Sequence, residues 1–216
     1  MLAGHETTAT ALAWTFDLLL HHPAVLERLL AELAAGDEAY LRAVVTESLR
    51  LRPVLPLAGR RLTSELRADG HVLPAGTDVT PAIWLTHTRG DRYPEPFAFR
   101  PERFLHESPS TYAWIPFGGG VRRCLGAAFA EMEMRVVLAE VLRRRTLRAV
   151  SPVAERAARR NVTLSPRDGT RVVAQATRSV SQPGSGGKKP VQLSAAASAG
   201  GLSAEAVHTG SPGTGS

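Results

Sequence analysis

The residues best suited to chemistry lie in one ten-residue segment, F-G-G-G-V-R-R-C-L-G, at residues 117–126. The segment contains Cys124, the only cysteine of the 216-residue chain. Glycines 118–120 permit tight turns and a close approach of the backbone to a ligand. A long helix is predicted to begin at Leu125, and the unpaired amides and partial positive charge of its first turn favour a thiolate over a thiol. Gly126, one turn into this helix, leaves a surface without side chains beside the sulfur.

Three interpretations of this thiol are compatible with its residue type. Arg122 and Arg123 add positive potential next to Cys124, and together with the side-chain-free surface they suit a large planar metal complex. Haem iron held by a cysteine thiolate is the known example of such a site. A buried, unreactive cysteine is the second interpretation, and a nucleophilic cysteine beside a histidine base is the third. The glycine and arginine spacing favours the first.

The whole segment fits F-x-x-G-x-R-x-C-x-G and therefore resembles the haem-binding loop of the cytochrome P-450 family, the haem-thiolate monooxygenases. The resemblance implies that Cys124 is the axial ligand of the iron in haem b. It also implies that Arg122 binds a haem propionate, because arginine and carboxylate form bidentate pairs. The cofactor-binding residues predicted in this way are Phe117, Gly118, Arg122, Cys124, Gly126 and, from another segment, Arg60.

Two further segments resemble motifs that hold this loop in place in family members. E-S-L-R, residues 47–50, matches E-x-x-R, and Glu47 and Arg50 would share one helix face at a spacing of i, i+3. F-R-P-E-R-F, residues 99–104, resembles the segment whose arginine, Arg103 here, joins that pair. The resemblance implies a buried structural triad that takes no part in bond making. An exposed ion pair of little energetic value is the alternative for E-S-L-R alone.

A-G-H-E-T-T, residues 3–8, resembles the centre of the family's I helix, which lies above the haem. The resemblance implies that Thr7 hydrogen-bonds bound dioxygen, that Glu6 helps to deliver protons and that Gly4 leaves room for dioxygen. An acid beside an alcohol is a reasonable proton relay. Taken alone, E-T-T is more typical of a helix N-cap.

Arg60 lies where family members place an arginine on a haem propionate, and Arg61 replaces it if the alignment slips by one position. His87 is a weaker candidate for the same propionate, and a surface turn is its alternative interpretation. V-L-P-L-A, residues 54–58, resembles the segment that lines the substrate pocket in relatives, with a plain core segment as its alternative.

Hydrophobic periodicity and turn residues predict the elements that position these motifs. The predicted helices cover residues 6–20, 25–35, 38–51, 81–88 and 125–145, and short strands are predicted over residues 57–80 and 146–176. Ala128, Met132, Val136 and Ala139 are expected on one apolar face of the last helix. The fold class is thus mainly α with minor β, and by resemblance it is the C-terminal half of the cytochrome P-450 fold, from the I to the L helix.

The chain divides into a partial cytochrome P-450 domain at residues 1–177 and a low-complexity tail at residues 178–216. The tail is rich in Ser, Gly, Ala and Pro, which predicts disorder, with a short linear binding motif as the alternative. Because the resemblance covers only the C-terminal half of a usual member, the chain is interpreted as a fragment. Apolar surface on residues 6–20 and 125–138 would then be exposed.

Composition limits the classes of partner and the cellular compartments that are compatible with the sequence. The net charge is +6, and arginines cluster at 143–148 and 156–160, which indicates solvated helix ends or a docking face for an acidic protein. Nucleic-acid binding is disfavoured, because no aromatic residues interleave with these arginines. A single cysteine excludes an intramolecular disulfide and favours the cytoplasm. Neither a signal peptide nor an apolar run long enough for a membrane span is expected.

The activity implied by the resemblance is dioxygen-dependent hydroxylation of a small apolar organic substrate. Electrons would come from NAD(P)H through a ferredoxin or flavoprotein reductase. The alternative is a non-catalytic fragment that binds haem poorly or not at all, and a cysteine-dependent hydrolase is the least favoured reading.

Overall fold

The computed structural model describes residues 2–176 and 191–193. It is mainly helical with small antiparallel sheets, as the sequence predicts. The helices are α1 (Leu2–Leu20), α2 (Pro23–Ala34), α3 (Ala39–Leu51), α4 (Ile83–His87) and α5 (Ala127–Arg144).

Turn and capping residues explain where the first three helices stop and start. Pro23 occupies the first turn of α2, where a missing N–H costs nothing. Gly36 follows α2 with a φ of 80°, a left-handed conformation that glycine adopts without steric cost. The carboxylate of Asp37 accepts a 2.8 Å hydrogen bond from the Ala39 amide at the start of α3. Asp37 thus provides a partner for one amide of the first turn, although Glu38 is the N-cap residue of α3.

Within residues 2–176 and 191–193 the strands form four small sheets, and every pair is antiparallel. Strand β1 (Arg60–Arg61) pairs with β4 (Asp78–Val79), and β2 (Leu66–Ala68) pairs with β3 (His71–Leu73). Strand β6 (Ala157–Arg160) pairs with β7 (Thr163–Pro166). In the third sheet β8 (Val172–Ala176) lies between β5 (Arg145–Ala149) and β9 (Val191–Leu193).

The hydrophobic core lies where α1 packs against α2, α3 and α5. Leu19, Leu29, Leu41 and Leu138 are completely buried there. The β6–β7 hairpin closes one side of this core, because the Trp14 indole donates a 2.9 Å hydrogen bond to the carbonyl of Leu164. No helix within the described residues combines the length and hydrophobicity needed to cross a bilayer.

The predicted inward face of α5 is wrong for most of its residues. Ala128, Met132 and Val136 are exposed, and of the predicted set only Ala139 is buried. The buried residues of α5 are Ala127, Met134, Leu138, Ala139 and Leu142. Both faces of this helix are apolar, so periodicity identifies the helix but does not select the face that packs.

Three residues of the low-complexity tail are part of a sheet. Residues 191–193 form β9 and pair with β8, because Val and Leu favour strands and β8 offers a free edge. The rest of the tail, residues 178–190 and 194–216, and the boundary at residue 177 lie outside the described residues.

Candidate functional site

The cysteine loop is a compact turn closed by its own backbone. The Cys124 amide donates to the Phe117 carbonyl at 3.0 Å, and the Gly118 amide donates to the Ile115 carbonyl at 2.9 Å. Gly118 and Gly120 have φ values of 71° and 62°, in the left-handed region that side chains disfavour. Two of the three consecutive glycines are therefore required by the backbone path itself.

The thiol lies just before the helix rather than inside it. Cys124 is exposed, so the interpretation as a buried, unreactive cysteine is wrong. Helix α5 begins at Ala127 with Gly126 as its N-cap, which corrects the expected position of Gly126 one turn into the helix. A Cβ added at Gly126 would meet only the Cys124 sulfur, at 3.9 Å, and at glycines 118–120 it would meet no atom within 4 Å.

The surface around the thiol is apolar and open. Val121 and Leu125 have exposed fractions of 102% and 105%, and Phe129 on the next turn of α5 is 63% exposed. Arg122 is exposed on the same loop. A large planar iron complex with anionic side groups requires a sulfur donor for the iron and a cation for the anionic groups. It also requires apolar contacts and a stretch of backbone without side chains. The surface around Cys124 offers all four. The residues present therefore fit haem.

A buried ion pair lies in the C-terminal half of α3. Arg50 donates to both carboxylate oxygens of Glu47, with Nε–Oε2 at 2.6 Å and Nη2–Oε1 at 2.8 Å, and both side chains are 0% exposed. Arg103 approaches the same carboxylate, with its Nε 3.1 Å from Oε1. The structure thus brings together the three side chains that the sequence grouped as a triad.

The triad also fixes the irregular segment at residues 94–103. The Arg50 guanidinium donates to the carbonyls of His87 and Pro96 at 2.7 and 2.8 Å. Arg103 donates to the carbonyl of Pro94 at 3.1 Å. One carboxylate and two guanidinium groups therefore hold residues 94–100, which have no regular secondary structure, and the short 3-10 helix Pro101–Phe104 that follows them.

Three side chains connect this region to the residues that precede the cysteine loop. The Tyr93 hydroxyl donates to the Ala113 carbonyl at 2.9 Å. The Trp114 indole donates to the carbonyl of Thr46 in α3 at 3.0 Å. The Ile115 amide donates to His87 Nε2 at 2.8 Å. Consecutive residues just before the loop are thus each held by a separate hydrogen bond.

His87 is the residue that sequence reasoning misjudged. Its exposed fraction is 0%, so the surface-turn interpretation is wrong, and both of its ring nitrogens already have backbone partners. Burial, assisted by the charge of Arg50, lowers the pKa of His87 to about 4. Its position at the end of an apolar helical turn was the only signal of burial in the sequence.

The A-G-H-E-T-T segment lies within the first turns of α1, so the N-cap interpretation is wrong. The Thr7 hydroxyl donates to the Gly4 carbonyl at 3.2 Å, and Glu6 is exposed. A Cβ added at Gly4 would meet no atom within 4 Å. This turn of α1 thus presents an acid, an alcohol and open space on the molecular surface.

The neighbouring arginines of β1 have different partners. Arg61 forms a bidentate pair with Asp78, at 2.8 and 2.7 Å. Arg60 is exposed and donates to the carbonyl of the preceding residue, Gly59, at 2.8 Å. Of the two candidates for a propionate, Arg60 is the one whose guanidinium has no carboxylate partner within the described part of the chain.

Comparison with known proteins identifies relatives along most of the chain. The family model described as Cytochrome P-450 matches residues 1–167. Cytochrome P-450 137 of Mycobacterium tuberculosis is 51% identical over 172 residues, which cover 80% of this chain and 36% of that protein. Cytochrome P-450 135B1 of Mycobacterium bovis is 46% identical over 187 residues, covering 84% of this chain and 40% of that protein.

Solved structures show the same relationship. Retinoic acid-bound cyanobacterial CYP120A1 superimposes with a TM-score of 0.74 and 30% identity, covering 82% of this chain and 44% of that one. A zebrafish cytochrome P-450 with progesterone superimposes with a TM-score of 0.69 and 33% identity, covering 81% and 43%. The chain therefore spans less than half the length of the relatives it matches. By its matched residues, its cysteine loop and its fold, the chain belongs to the cytochrome P-450 family.

Proposed function

We propose that this chain forms the haem-thiolate part of a monooxygenase that hydroxylates a small apolar organic substrate. The observation that carries the proposal is the exposed Cys124, in a family-matching loop whose preceding residue Ile115 is connected through His87 to the buried Glu47–Arg50 pair. Membership of the cytochrome P-450 family supports this class of reaction in general.

Cys124 would bind the iron of haem b. When bound, that group activates dioxygen, and the electron density of the thiolate favours cleavage of the O–O bond. Arg122 and Arg60 would pair with the haem propionates. Both are exposed, and the pairing of Arg61 with Asp78 supports Arg60 for this role. Phe117, Gly118 and Gly126 would shape the contact surface.

Thr7 and Glu6 would handle the protons that the reaction consumes. The Thr7 hydroxyl donates to the Gly4 carbonyl, and a hydroxyl group can accept a hydrogen bond as well as donate one. The exposed Glu6 carboxylate can exchange protons with water and pass them to the Thr7 hydroxyl oxygen. Gly4 leaves space beside this pair.

Substrate and partners follow the same proposal. The ligands named for two solved relatives, retinoic acid and progesterone, are largely apolar, which supports a small apolar substrate for this chain. Leu57, which is 53% exposed, would contact that substrate. A ferredoxin or flavoprotein in the cytoplasm would bring electrons from NAD(P)H. Exposed arginines after α5, Arg145 and Arg148, would contribute to a docking face for an acidic partner.

A second candidate function also has support. Leu125, Phe129, Met132 and Val136 leave a large part of α5 apolar and exposed, and the chain matches only 36–40% of its curated relatives' length. Because dioxygen activation needs a dry, closed site, the alternative is a non-catalytic chain that binds haem poorly or not at all.

The absorption spectrum of the reduced carbon monoxide complex separates the two. The full chain is expressed with haem supply, and Cys124→Ser serves as the matched control. The strongly red-shifted Soret band of a thiolate-ligated complex, lost in the serine variant, supports the monooxygenase. Absence of haem, or a band that survives in Cys124→Ser, overturns the proposed ligand.

A further inference from the structure

We propose that His87 is a positioning residue for Cys124, because its imidazole connects the buried Glu47–Arg50 pair to the backbone that carries the cysteine loop. The consequence for iron ligation rests on the proposed haem function. The hydrogen-bonded connection between Arg50, His87 and Ile115 does not depend on haem binding.

Arg50 and His87 are joined by a reciprocal pair of hydrogen bonds. The Arg50 guanidinium donates to the His87 carbonyl at 2.7 Å. The His87 ring, through Nδ1, contacts the Arg50 carbonyl at 3.0 Å. A carbonyl oxygen only accepts, so Nδ1 carries the hydrogen. Two bonds in opposite directions fix the ring relative to α3 in both position and rotation.

The other ring nitrogen extends this connection to the loop. With the hydrogen on Nδ1, Nε2 is an acceptor, and the Ile115 amide donates to it at 2.8 Å. The Ile115 carbonyl in turn accepts from the Gly118 amide at 2.9 Å, and the Phe117 carbonyl accepts from the Cys124 amide at 3.0 Å. A short chain of hydrogen bonds therefore leads from Arg50 to the residue that bears the thiol.

A merely space-filling histidine would not require this arrangement. The residue is 0% exposed, yet both ring nitrogens have a hydrogen-bond partner in the backbone. Nδ1 donates to the Arg50 carbonyl, and Nε2 accepts from the Ile115 amide. Loss of either nitrogen would leave a carbonyl or an amide without its partner, which costs more than the loss of an average hydrogen bond. The two nitrogens thus have separable roles: Nδ1 anchors the ring to α3, and Nε2 holds Ile115.

Two substitutions separate these roles. In His87→Asn the side-chain amide ends near the position of Nδ1, so it can keep the bond to the Arg50 carbonyl but does not reach Ile115. In His87→Gln the side chain is long enough to place its amide oxygen near the position of Nε2, where it can accept from the Ile115 amide. His106→Gln, at an exposed histidine, is the matched control.

Hydrogen exchange of the Ile115 amide in the haem-free full chain tests the connection. We expect exchange about tenfold faster in His87→Asn than in the wild type, near wild-type exchange in His87→Gln and in the control, and no change at the Leu49 amide in α3. Equal protection of Ile115 in His87→Asn and His87→Gln overturns the proposal. If neither variant folds, the ¹⁵N shifts of the wild-type His87 ring decide: hydrogen on Nδ1 is expected, and hydrogen on Nε2 overturns it.

The carbon monoxide spectrum then tests positioning. Among haem-bound molecules, the thiolate-ligated fraction should fall in His87→Asn and recover in His87→Gln, whereas a purely structural role would lower the amount of folded protein without changing this fraction. An unchanged fraction in His87→Asn overturns the positioning role. If the wild-type chain binds no haem, the proposed function fails, while the exchange experiment still reports on His87.

Discussion

Two regions near the cysteine loop differ in burial, polarity and hydrogen bonding. One is a frame, formed by Glu47, Arg50, His87 and Arg103, whose polar side chains are buried or nearly buried and are hydrogen-bonded to one another or to backbone. The other is an open face, formed by Val121 and Leu125 next to Cys124 in the sequence and by Phe129, Met132 and Val136 along α5, which is apolar and exposed. The frame is complete within this chain, whereas the open face presents surface that nothing in the described residues covers.

Removal of the carboxylate at the centre of the frame should have the largest effect. Glu47→Gln leaves the fully buried Arg50 without a counter-charge, and breaking a buried pair in this way costs about 3–5 kcal/mol. Denaturant unfolding of the full chain measures the loss. Glu65→Gln, which breaks the exposed pair with Arg67, is the control and should cost at most about 1 kcal/mol. Equal losses in the two variants would contradict the frame's importance.

Two neighbouring residues of α5 sharpen the comparison. Leu138 is 0% exposed and Val136 is 57% exposed. Leu138→Ala should cost about 2–5 kcal/mol, because it leaves a cavity in the core, whereas Val136→Ala should change the free energy of unfolding by about 0.5 kcal/mol or less. If Val136→Ala proves as damaging as Leu138→Ala in the same denaturant titration, the outer face of α5 is buried in solution.

The pH dependence of stability tests His87 within the frame. Its pKa is about 4 in the folded chain and 6.5 when unperturbed. The unfolded chain therefore binds more protons between these values, so stability is full above pH 6.5 and falls as the pH drops towards 4, by at most about 3 kcal/mol.

The measurement is the difference in unfolding free energy between the wild type and His87→Gln, taken across this pH range. The variant cannot titrate at this position, and subtracting its curve removes the opposing contribution of Asp17, whose pKa burial raises. A difference that does not vary with pH would show that His87 titrates normally.

The smallest effect is expected in the loop itself. Gly118 has a φ of 71°, and Gly118→Ala should cost about 1–2 kcal/mol because a Cβ disfavours that conformation. Gly119, with a φ of −157°, adopts extended backbone that any residue tolerates, so Gly119→Ala should be close to neutral. Calorimetric melting of the two variants distinguishes them, and equal melting temperatures would show that the loop relaxes.

The sequence predicts the Glu47–Arg50–Arg103 part of the frame, but it does not predict the contacts of His87. E-x-x-R places Glu47 and Arg50 on one helix face through i, i+3 geometry alone, which any helix imposes. Helix ends are similarly local, as at Gly36 and Asp37. His87 was missed because its partners, Arg50 and Ile115, lie far away in sequence and no local pattern records them.

The face of α5 that packs was also beyond sequence reasoning. Met132 and Met134 are both apolar, yet only Met134 is buried, and the choice depends on how α1 and α3 pack against this helix. Strand β9 depends in the same way on the free edge of β8. Local rules predict the elements, and tertiary contacts decide which surfaces they bury.

The frame also constrains the order of folding. Glu47 and Arg50 are three residues apart and can meet as soon as α3 forms. By contrast, Arg50 is 37 residues from His87, and Glu47 is 56 residues from Arg103. Each of these contacts closes a long loop before it contributes any stabilising energy, and such non-local contacts slow folding. Placement of the cysteine loop relative to α3 depends on such non-local contacts, so we expect Cys124 to reach its final position late in folding.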